Sequence, residues 1–319
     1  MHVSEIYNEV LQAESRIREY VRETYLEYSP VFSEACSSEV YMKLENLQLT
    51  GSFKLRGAVN KIQSLTEEQL SKGIVTASSG NHGSAVSLAL KKLSIRGLIF
   101  VPDYASEAKL GSIRVNGAEI RKHGSDQVEA EIYARKYAAE NNMTFISPYN
   151  DPVVVGGQGT IGVELMRQLE DLDAVFISIG GGGLISGISA YLKSVRPEIE
   201  IIGCSPENSK VMMESVKAGK ILELPSLPTI SDGTAGGLDP GTITFDLCRE
   251  LVDDYIAVTE EEIKDSMRLF MKSHHMMIEG AAGVALAPLF KFGDRFKNKK
   301  VAVIVCGANI SAEALKSVL

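Results

Sequence analysis

The stretch Thr50-Gly51-Ser52-Phe53-Lys54-Leu55-Arg56-Gly57 places a lysine between an apolar run and a helical pattern, at a predicted strand-to-helix turn. A second glycine-rich stretch, Gly180-Gly181-Gly182-Gly183-Leu184, follows another apolar run. A lysine amine can form an imine with an aldehyde, and the backbone N–H groups of a glycine loop can bind a phosphate. Most lysines are solvated surface cations, so this interpretation depends on the segments that accompany Lys54.

Short apolar runs alternate with helical patterns along the chain. Several runs are almost entirely apolar, as strands covered on both faces are, and the intervening segments are long enough for crossover helices. The pattern predicts an α/β protein with open, mostly parallel sheets and helices on both faces. The predicted strands are Val40–Leu44, Ile74–Thr76, Gly97–Val101, Ala174–Ile179, Ile199–Cys204 and Val301–Cys306.

Two other segments have distinct patterns. Apolar residues recur at helical spacing from Ile6 to Val21, which predicts an amphipathic N-terminal helix. Between Pro206 and Pro240, prolines and glycines interrupt any period, so we expect irregular loop.

Polar or glycine-rich segments follow four of the predicted strands: Lys54 with its neighbours, Ser78–Gly83, Gly180–Gly183 and Cys306–Asn309. In open α/β sheets, ligands bind beyond the carboxyl ends of the strands. Four such segments are hard to explain as ordinary turns, so we predict that they line one ligand site.

The charge balance opposes nucleic-acid binding. The 319 residues include 33 Lys and Arg against 41 Asp and Glu, a net charge of −8, and no basic stripe offsets it. No stretch is apolar enough to span a membrane and the N-terminal segment is too charged for a signal peptide, so we expect a cytoplasmic protein. The four cysteines lie far apart, which predicts reduced thiols rather than disulfides or a zinc site.

Taken in order, these motifs resemble those of the fold type II pyridoxal-phosphate enzymes, specifically the threonine and serine dehydratase group that includes serine racemase. The resemblance extends from about Glu39 to Asn309. It implies a two-domain fold like that of the tryptophan synthase β subunit, with pyridoxal 5′-phosphate as cofactor. The motifs that carry it are GSFKxRG around Lys54, SSGNHG at Ser78–Gly83, GGGGL at Gly180–Leu184, IEGAAG at Ile278–Gly283 and CGxN at Cys306–Asn309.

The resemblance implies a cofactor site built from these motifs. Lys54 would hold the aldehyde as an internal imine, with Phe53 beside the ring, and Asn81 would hydrogen-bond the ring hydroxyl. Glu279 would lie close to the ring. The phosphate would be bound by Gly180, Gly181, Gly182, Gly183 and Leu184.

Cys306 matches the family position that faces the pyridine nitrogen, where many dehydratases carry serine. A neutral thiol would not keep that nitrogen protonated, so the ring is expected to be a weaker electron sink, which suits elimination. The alternative for Cys306 is a small buried hydrophobic residue, because free cysteine is commonly buried.

A second set of residues is expected at the substrate. Ser79 either exchanges a proton on the face opposite Lys54, as in racemase-like members, or grips the substrate carboxylate; simple loop hydrogen bonding is the alternative. His82 is expected to donate its backbone N–H rather than to act as a base. The expected substrate-binding residues are Ser78, Ser79, Gly80, Asn81, His82, Tyr149 and Gly233.

Three positions depart from the pattern, two at the family's cation site and one in the pocket. The divalent cation site of racemase-like members uses a glutamate before a proline and an aspartate six residues beyond it, whereas this chain has Ser205 and Val211. Neither side chain supplies a carboxylate to a hard cation, so we expect no metal there, which weakens the racemase interpretation. Tyr149 adds a phenol to the pocket, so the preferred substrate can be larger or more polar than threonine.

The implied activity is that of an ammonia-lyase, which converts a β-hydroxy-α-amino acid such as L-threonine or L-serine to a 2-oxo acid and ammonia. Lys54, displaced by the substrate amine, would remove the α proton, and the cofactor phosphate would assist departure of the β-hydroxyl. Three alternatives stay open. They are a serine-type racemase on the same scaffold, a dehydratase specific for another hydroxy amino acid such as 3-hydroxyaspartate, and a non-catalytic amino-acid or nucleotide-binding protein.

The family also implies two domains and a homodimer. The expected ligand is a small amino-acid substrate, and no nucleic-acid or membrane partner is expected. Residues 1–73 plus 147–319 would form a large cofactor-binding domain, and residues 74–146 a small mobile domain. The site would lie between them, so closure on substrate is expected.

Overall fold

The computed structural model describes residues 2–105, 107–291 and 293–319. The strands are β1 (Leu26–Tyr28), β2 (Glu39–Lys43), β3 (Ile74–Ala77), β4 (Gly97–Val101), β5 (Glu119–Lys122), β6 (Thr144–Phe145), β7 (Ala174–Ser178), β8 (Glu200–Pro206), β9 (Asp254–Val258) and β10 (Lys300–Ile304). The α-helices are α1 (Val3–Ile17), α2 (Pro30–Cys36), α3 (Lys54–Gln63), α4 (Glu67–Lys72), α5 (Asn81–Leu93), α6 (Glu107–Val115), α7 (Gln127–Glu140), α8 (Pro152–Gln168), α9 (Gly183–Val195), α10 (Val211–Ala218), α11 (Ile243–Leu251), α12 (Glu260–His274), α13 (Gly280–Leu286) and α14 (Ala312–Val318). Short 3₁₀ turns occupy Glu45–Leu47, Asp232–Thr234, Ala287–Phe290 and Gly293–Phe296.

The strands form two sheets. The larger sheet has the order β1-β2-β10-β7-β8-β9, and the smaller has the order β5-β4-β3-β6. All neighbouring strands in the described residues run parallel except β1 and β2. Val301 of β10 lies in register between Val40 of β2 and Ala174 of β7. The prediction of an α/β protein with mostly parallel sheets is confirmed.

The central strands are buried on both faces. Every residue of β7 is buried, and the smaller sheet is likewise buried along β3. Helices α8 and α9 pack closely because glycines face each other: a Cβ on Gly159 would lie 2.7 Å from the Gly187 carbonyl oxygen. This burial explains why the strands are apolar runs rather than alternating patterns.

The sequence-based boundaries need two corrections. Helix α1 buries Ile6, Val10, Ala13 and Ile17 as the period predicts, but it ends at Ile17 rather than near Val21. The stretch between Pro206 and Pro240 is not all irregular, because α10 lies within it and is capped at its C-terminus by Gly219 in the left-handed region, with φ +71°. Among the described residues, no helix combines the length and apolarity needed to cross a membrane.

Candidate active site

Lys54 is the first residue of α3, and the turn before it lies next to the residues that follow β10. The backbone N–H of Phe53 donates to the carbonyl oxygen of Cys306 at 3.1 Å, which ties the turn to the end of β10. Nζ of Lys54 donates to the carbonyl oxygen of Pro148 at 2.8 Å and lies 5.2 Å from the centroid of the Phe53 ring. The amine is therefore held in place by backbone rather than paired with a carboxylate.

The environment of Lys54 favours its neutral form. Burial lowers the pKa of this amine to about 8, although Cys306, Glu279 and Glu131 act in the opposite direction. An appreciable fraction of the amine is therefore unprotonated near neutral pH. The unprotonated amine is the form that attacks a carbonyl carbon or accepts a proton.

The glycine loop lies between the end of β7 and the start of α9. Gly182 has φ +83°, a conformation that glycine adopts without strain. A Cβ on Gly180 would lie 2.9 Å from the Cα of Thr234, and a Cβ on Gly181 would lie 2.5 Å from Cγ of Tyr149. Larger residues would not fit, so the loop exposes backbone N–H groups at the N-terminus of a helix that runs to Val195.

These features fit a phosphate-bearing aldehyde such as pyridoxal 5′-phosphate. The loop and the dipole of α9 favour a dianion, and the amine of Lys54 has the depressed pKa that covalent attachment needs. Lys54 follows β2 and the glycine loop follows β7, and these two strands flank β10 in the larger sheet, so both segments lie beyond the carboxyl ends of parallel strands.

The SSGNHG loop links the end of β3 to α5. Asn81 begins α5, and a Cβ on Gly83 would lie 2.1 Å from the Ser78 carbonyl oxygen, so the loop is tightly wound. The backbone N–H of Gly80 donates to the Ser78 hydroxyl at 3.2 Å. Ser79 is half-buried, and its hydroxyl makes no hydrogen bond with any residue that the structure describes. The start of α5 and the loop before it thus present N–H groups and a hydroxyl that are suited to binding an anion.

Asn81 is bound to two residues from distant parts of the chain. Its Nδ2 donates to both carboxylate oxygens of Glu279 at 2.9 Å, and its Oδ1 accepts from Nδ2 of Asn309 at 2.7 Å. Burial raises the pKa of Glu279 to about 7, with Asp232 acting in the same direction and the hydrogen bond from Asn81 opposing it. Glu279 therefore titrates near neutral pH.

Cys306 lies beside this cluster, at the end of β10. Its Sγ is 4.0 Å from Oε1 of Glu279 and accepts a hydrogen bond from the Ser178 hydroxyl at 3.6 Å. Burial raises the pKa of the thiol well above its ordinary value, and the Glu279 carboxylate adds to the effect. The thiol is therefore neutral at physiological pH.

His82 is buried behind the loop. Its Nε2 lies 3.1 Å from the carbonyl oxygen of Ile146, so this nitrogen carries the proton. Burial lowers the pKa of the imidazole to about 3, and the charge on Lys54 acts in the same direction. Its Nδ1 has no described hydrogen-bond partner. The imidazole is neutral and holds the loop against the segment from Ile146 to Pro148. The carbonyl of Pro148 in the same segment binds Lys54.

Tyr149 covers the glycine loop. Its ring lies against Gly181, its backbone and Cβ lie against Gly183, and its hydroxyl oxygen accepts from the backbone N–H of Asp239 at 2.7 Å. The Asp239 carboxylate in turn accepts from Arg135 of α7 at 2.9 Å. Tyr149 therefore holds the loop before α11 over the site.

Gly233 also lies next to the Glu279 carboxylate. A Cβ on Gly233 would lie 3.5 Å from Oε1 of Glu279 and 3.5 Å from Cβ of Ala281. The structure therefore brings together the four segments that the sequence singled out, together with Tyr149, Gly233 and Glu279. The roles assigned to these residues stay predictions.

Two features of the site were missed by sequence reasoning. The sequence marks Asn309 only as the last residue of the CGxN motif, yet it binds both Asn81 and Glu279. Arg135 and Asp239 join α7 to the loop before α11, and nothing in their local sequence marks them. Only the CGxN pattern could have pointed to Asn309.

A buried ion cluster anchors α3 directly behind Lys54. Arg56 pairs with Glu45 at 2.7 Å and with Glu164 at 2.6 Å, and Lys43 pairs with Glu164 at 2.6 Å. All four side chains have 0% exposed surface. Burial alone would raise the pKa of Glu164, but Arg56 and Lys43 hold it at about 2. The cluster was also missed, although Arg56 lies within the lysine motif.

Comparison with known proteins identifies relatives along nearly the whole chain. A family model described as "Pyridoxal-phosphate dependent enzyme" matches residues 17–307. The L-threonine ammonia-lyase of Thermotoga maritima is 40% identical over 311 residues, covering 98% of this chain and 77% of that protein. The catabolic L-threonine dehydratase of Escherichia coli K12 is 37% identical over 313 residues, covering 98% of this chain and 95% of that protein.

Solved structures show the same fold. Maize serine racemase superposes with a TM-score of 0.91 at 33% identity, covering 98% of this chain and 95% of that one. The processed form of threonine deaminase isoform 2 from Solanum lycopersicum superposes with a TM-score of 0.94 at 32% identity, covering 100% of this chain and 93% of that one.

Proposed function

This chain belongs to the pyridoxal-phosphate dependent enzyme family, and from that premise we propose that it is an ammonia-lyase acting on a β-hydroxy-α-amino acid such as L-threonine or L-serine. The observation that carries the proposal is the Lys54 amine, which has a pKa of about 8 and is held by the carbonyl of Pro148, next in the chain to the Tyr149 that packs on the glycine loop. The names of the relatives at 37% and 40% identity support the same reaction.

Lys54 has two tasks in this reaction. Lys54 would hold pyridoxal phosphate covalently between turnovers, and its freed Nζ would accept the proton from the substrate α-carbon. When bound, the cofactor supplies an electron sink for the electron pair that this proton leaves behind. A base is most effective when its pKa is close to the working pH, and a pKa of about 8 meets that condition.

The loop from Ser78 to Asn81 binds the substrate carboxylate. The first backbone N–H groups of α5 have no partner within the helix and would donate to that carboxylate, and the helix dipole would add a favourable partial charge. The hydroxyls of Ser78 and Ser79 are available as further donors. The neutral thiol of Cys306 provides no charge at the ring, so the site favours prompt loss of the β-hydroxyl.

A panel of amino acids tests the proposal. The holoenzyme is incubated with L- and D-serine, L- and D-threonine and 3-hydroxyaspartate, and ammonia and 2-oxo acid are measured. We expect equal amounts of both products from L-threonine or L-serine. If the protein binds the cofactor, shown by a visible absorption band, but releases no ammonia from any of them, the lyase proposal is wrong. If no band develops, the non-catalytic alternative is favoured.

A racemase is the second candidate, because the hydroxyl of Ser79 is not engaged by any described residue and serine racemases share the fold. Chiral analysis of the unreacted serine separates the two activities. A pure lyase leaves no opposite enantiomer, whereas a racemase accumulates it. If the chain is a racemase, Ser79→Ala should lower the rate of racemisation more than the rate of elimination.

The rate of cofactor attachment is expected to depend on the pKa of Lys54. Only the neutral amine attacks the aldehyde, so the association rate rises with pH and levels off above about 8. Stopped-flow absorbance of apoenzyme mixed with pyridoxal phosphate measures the rate. A profile still rising toward the ordinary lysine pKa of about 10.4 would contradict a desolvated Lys54.

Activity is expected not to need a divalent cation. Ser205 and Val211 are buried and carry no carboxylate, and the described residues contain no cluster of three acidic, His or Cys side chains suited to a metal. Dialysis against EDTA should leave the rate of ammonia release unchanged. A loss of activity that Mg²⁺ or Ca²⁺ restores would contradict this prediction.

We propose the domain division and the assembly together. The strands of the smaller sheet lie within residues 74–146, which supports a small mobile domain there, with residues 1–73 plus 147–319 as the large domain.

A homodimer contact near edge strand β1 is supported by exposed apolar and aromatic side chains, namely Tyr25, Tyr28, Val31 and Phe290. Light scattering of the purified protein tests the dimer. A cytoplasmic location agrees with the free cysteines.

A further inference from the structure

Asn309 is anchored by groups that leave no ambiguity about its amide. Its Nδ2 donates to the carbonyl oxygen of Thr50 at 2.8 Å and to Oδ1 of Asn81 at 2.7 Å. A backbone carbonyl can only accept, so the nitrogen of Asn309 must face Thr50. The backbone N–H of Asn309 also donates to Oε2 of Glu279 at 3.1 Å.

This anchoring determines the orientation of Asn81. Because Asn309 presents a donor, the atom of Asn81 that faces it must be the oxygen. The nitrogen of Asn81 then faces Glu279, where it lies 2.9 Å from both carboxylate oxygens. If the amide of Asn81 were turned by 180°, its nitrogen would face the nitrogen of Asn309 and its oxygen would face the carboxylate of Glu279. The hydrogen bonds to both residues would then be lost.

Space for this arrangement is built into the lysine motif. Gly51 has φ +70°, and a Cβ on it would lie 2.8 Å from Oδ1 of Asn309. Asn309 therefore connects three segments: the turn before Lys54, the end of β10 and the start of α5. Asn81 belongs to residues 74–146, whereas Glu279 and Asn309 lie in the remainder of the chain.

We propose that Asn309 is a positioning residue, which fixes the amide of Asn81 with its nitrogen toward Glu279 and the cofactor ring. The two oxygens of the Glu279 carboxylate are too close together to take both N–H groups of the Asn81 amide, so they share one, and in that orientation the second N–H can donate to an ionised ring oxygen. In the opposite orientation Asn81 would offer an acceptor, which repels such an oxygen. This inference rests on the family's cofactor and not on the proposed lyase reaction.

A double-mutant cycle on cofactor binding tests the proposal. The dissociation constant of pyridoxal phosphate is measured for the wild-type apoenzyme and for Asn309→Ala, Asn81→Ala and the double variant. We expect Asn309→Ala to weaken binding about tenfold when Asn81 is present, the size of one hydrogen bond to a charged acceptor. When Asn81 is absent, we expect Asn309→Ala to change binding by less than about twofold.

A second readout separates positioning from a purely structural role. In Asn309→Ala, the pH at which the visible band of the bound cofactor changes should shift, because the amide of Asn81 is no longer fixed with its donor toward the ring oxygen. Asn141→Ala is the matched control, since Asn141 donates to the Tyr137 carbonyl at 2.8 Å on the surface of α7. It should change neither the dissociation constant nor the band.

The outcomes that would overturn the proposal are specific. Equal weakening by Asn309→Ala with and without Asn81 would show that Asn309 acts independently of Asn81. An unchanged dissociation constant and band would show that it does not act on the cofactor. If Asn309→Ala does not fold, as judged by thermal unfolding of the apoenzyme, Asn309→Ser takes its place in the cycle, because its hydroxyl can satisfy only one of the two acceptors.

Discussion

Replacing Lys54 by alanine is expected to abolish covalent attachment of pyridoxal phosphate and to slow ammonia release by about a thousandfold or more. The variant loses both the nucleophile for the aldehyde and the base for the α proton, and no other described side chain is held by the Pro148 carbonyl in the same place. Borohydride reduction followed by mass spectrometry measures attachment, and a coupled ammonia assay measures turnover.

Lys72→Ala is the control for this experiment. Lys72 forms a surface pair with Glu68 at 2.6 Å and lies on α4, away from the site, so the variant should keep both properties. If Lys54→Ala retained the covalent adduct, another lysine would be the attachment point. The assignment of the site would then be wrong.

Glu164→Gln is expected to lower the free energy of unfolding by about 3–5 kcal/mol. Glu164 accepts hydrogen bonds from Arg56 and Lys43, whose side chains are fully buried, and from Arg18. Glutamine keeps the volume but removes the charge, so two buried cations are left with Glu45 alone. Urea unfolding of the apoenzyme measures the change.

Glu68→Gln provides the comparison, because it removes an acidic partner from an exposed pair with Lys72. Exposed pairs contribute little, so this variant should unfold at the wild-type urea concentration. Equal stability of Glu164→Gln and wild type would mean that the buried cluster contributes nothing beyond its packing.

The same carboxylate makes stability depend on acid pH. The folded-state pKa of Glu164 is about 2, below its ordinary value of 4.5, because Arg56 and Lys43 outweigh the effect of burial. A depressed pKa contributes stability above the unfolded pKa, and this contribution is lost as the pH falls from about 4.5 toward about 2. Wild-type stability should therefore fall more steeply than that of Glu164→Gln over this range, and parallel profiles would contradict the assignment.

The cluster also explains why the lysine motif continues beyond Lys54. Arg56 lies on the same first turn of α3, and its pairs with Glu45 and Glu164 fix the start of that helix against α8 and the segment after β2. An amine whose pKa depends on its enclosure needs a rigid support, because a small displacement would admit water.

The sequence predicted the buried strands best. The predicted runs agree with β2, β3, β4, β7, β8 and β10 to within two residues at each end. These strands are covered on both faces, so their apolar character is continuous and visible locally. The strands that were missed, β1, β5, β6 and β9, are short or partly exposed, and β5 has no buried residue. Their formation depends on the neighbour that they pair with.

By itself, the sequence determined the α/β class, the family and the four segments that lie at the strand ends, because each depends on residues close together in the chain. Only the tertiary structure decided which side chains meet. In the folded chain Asn309 is hydrogen-bonded to Asn81, Arg135 is paired with Asp239, and Glu164 is paired with both Arg56 and Lys43. The tertiary structure also set the pKa of Lys54 near 8 and that of Glu279 near 7, because desolvation acts only where the folded chain excludes water.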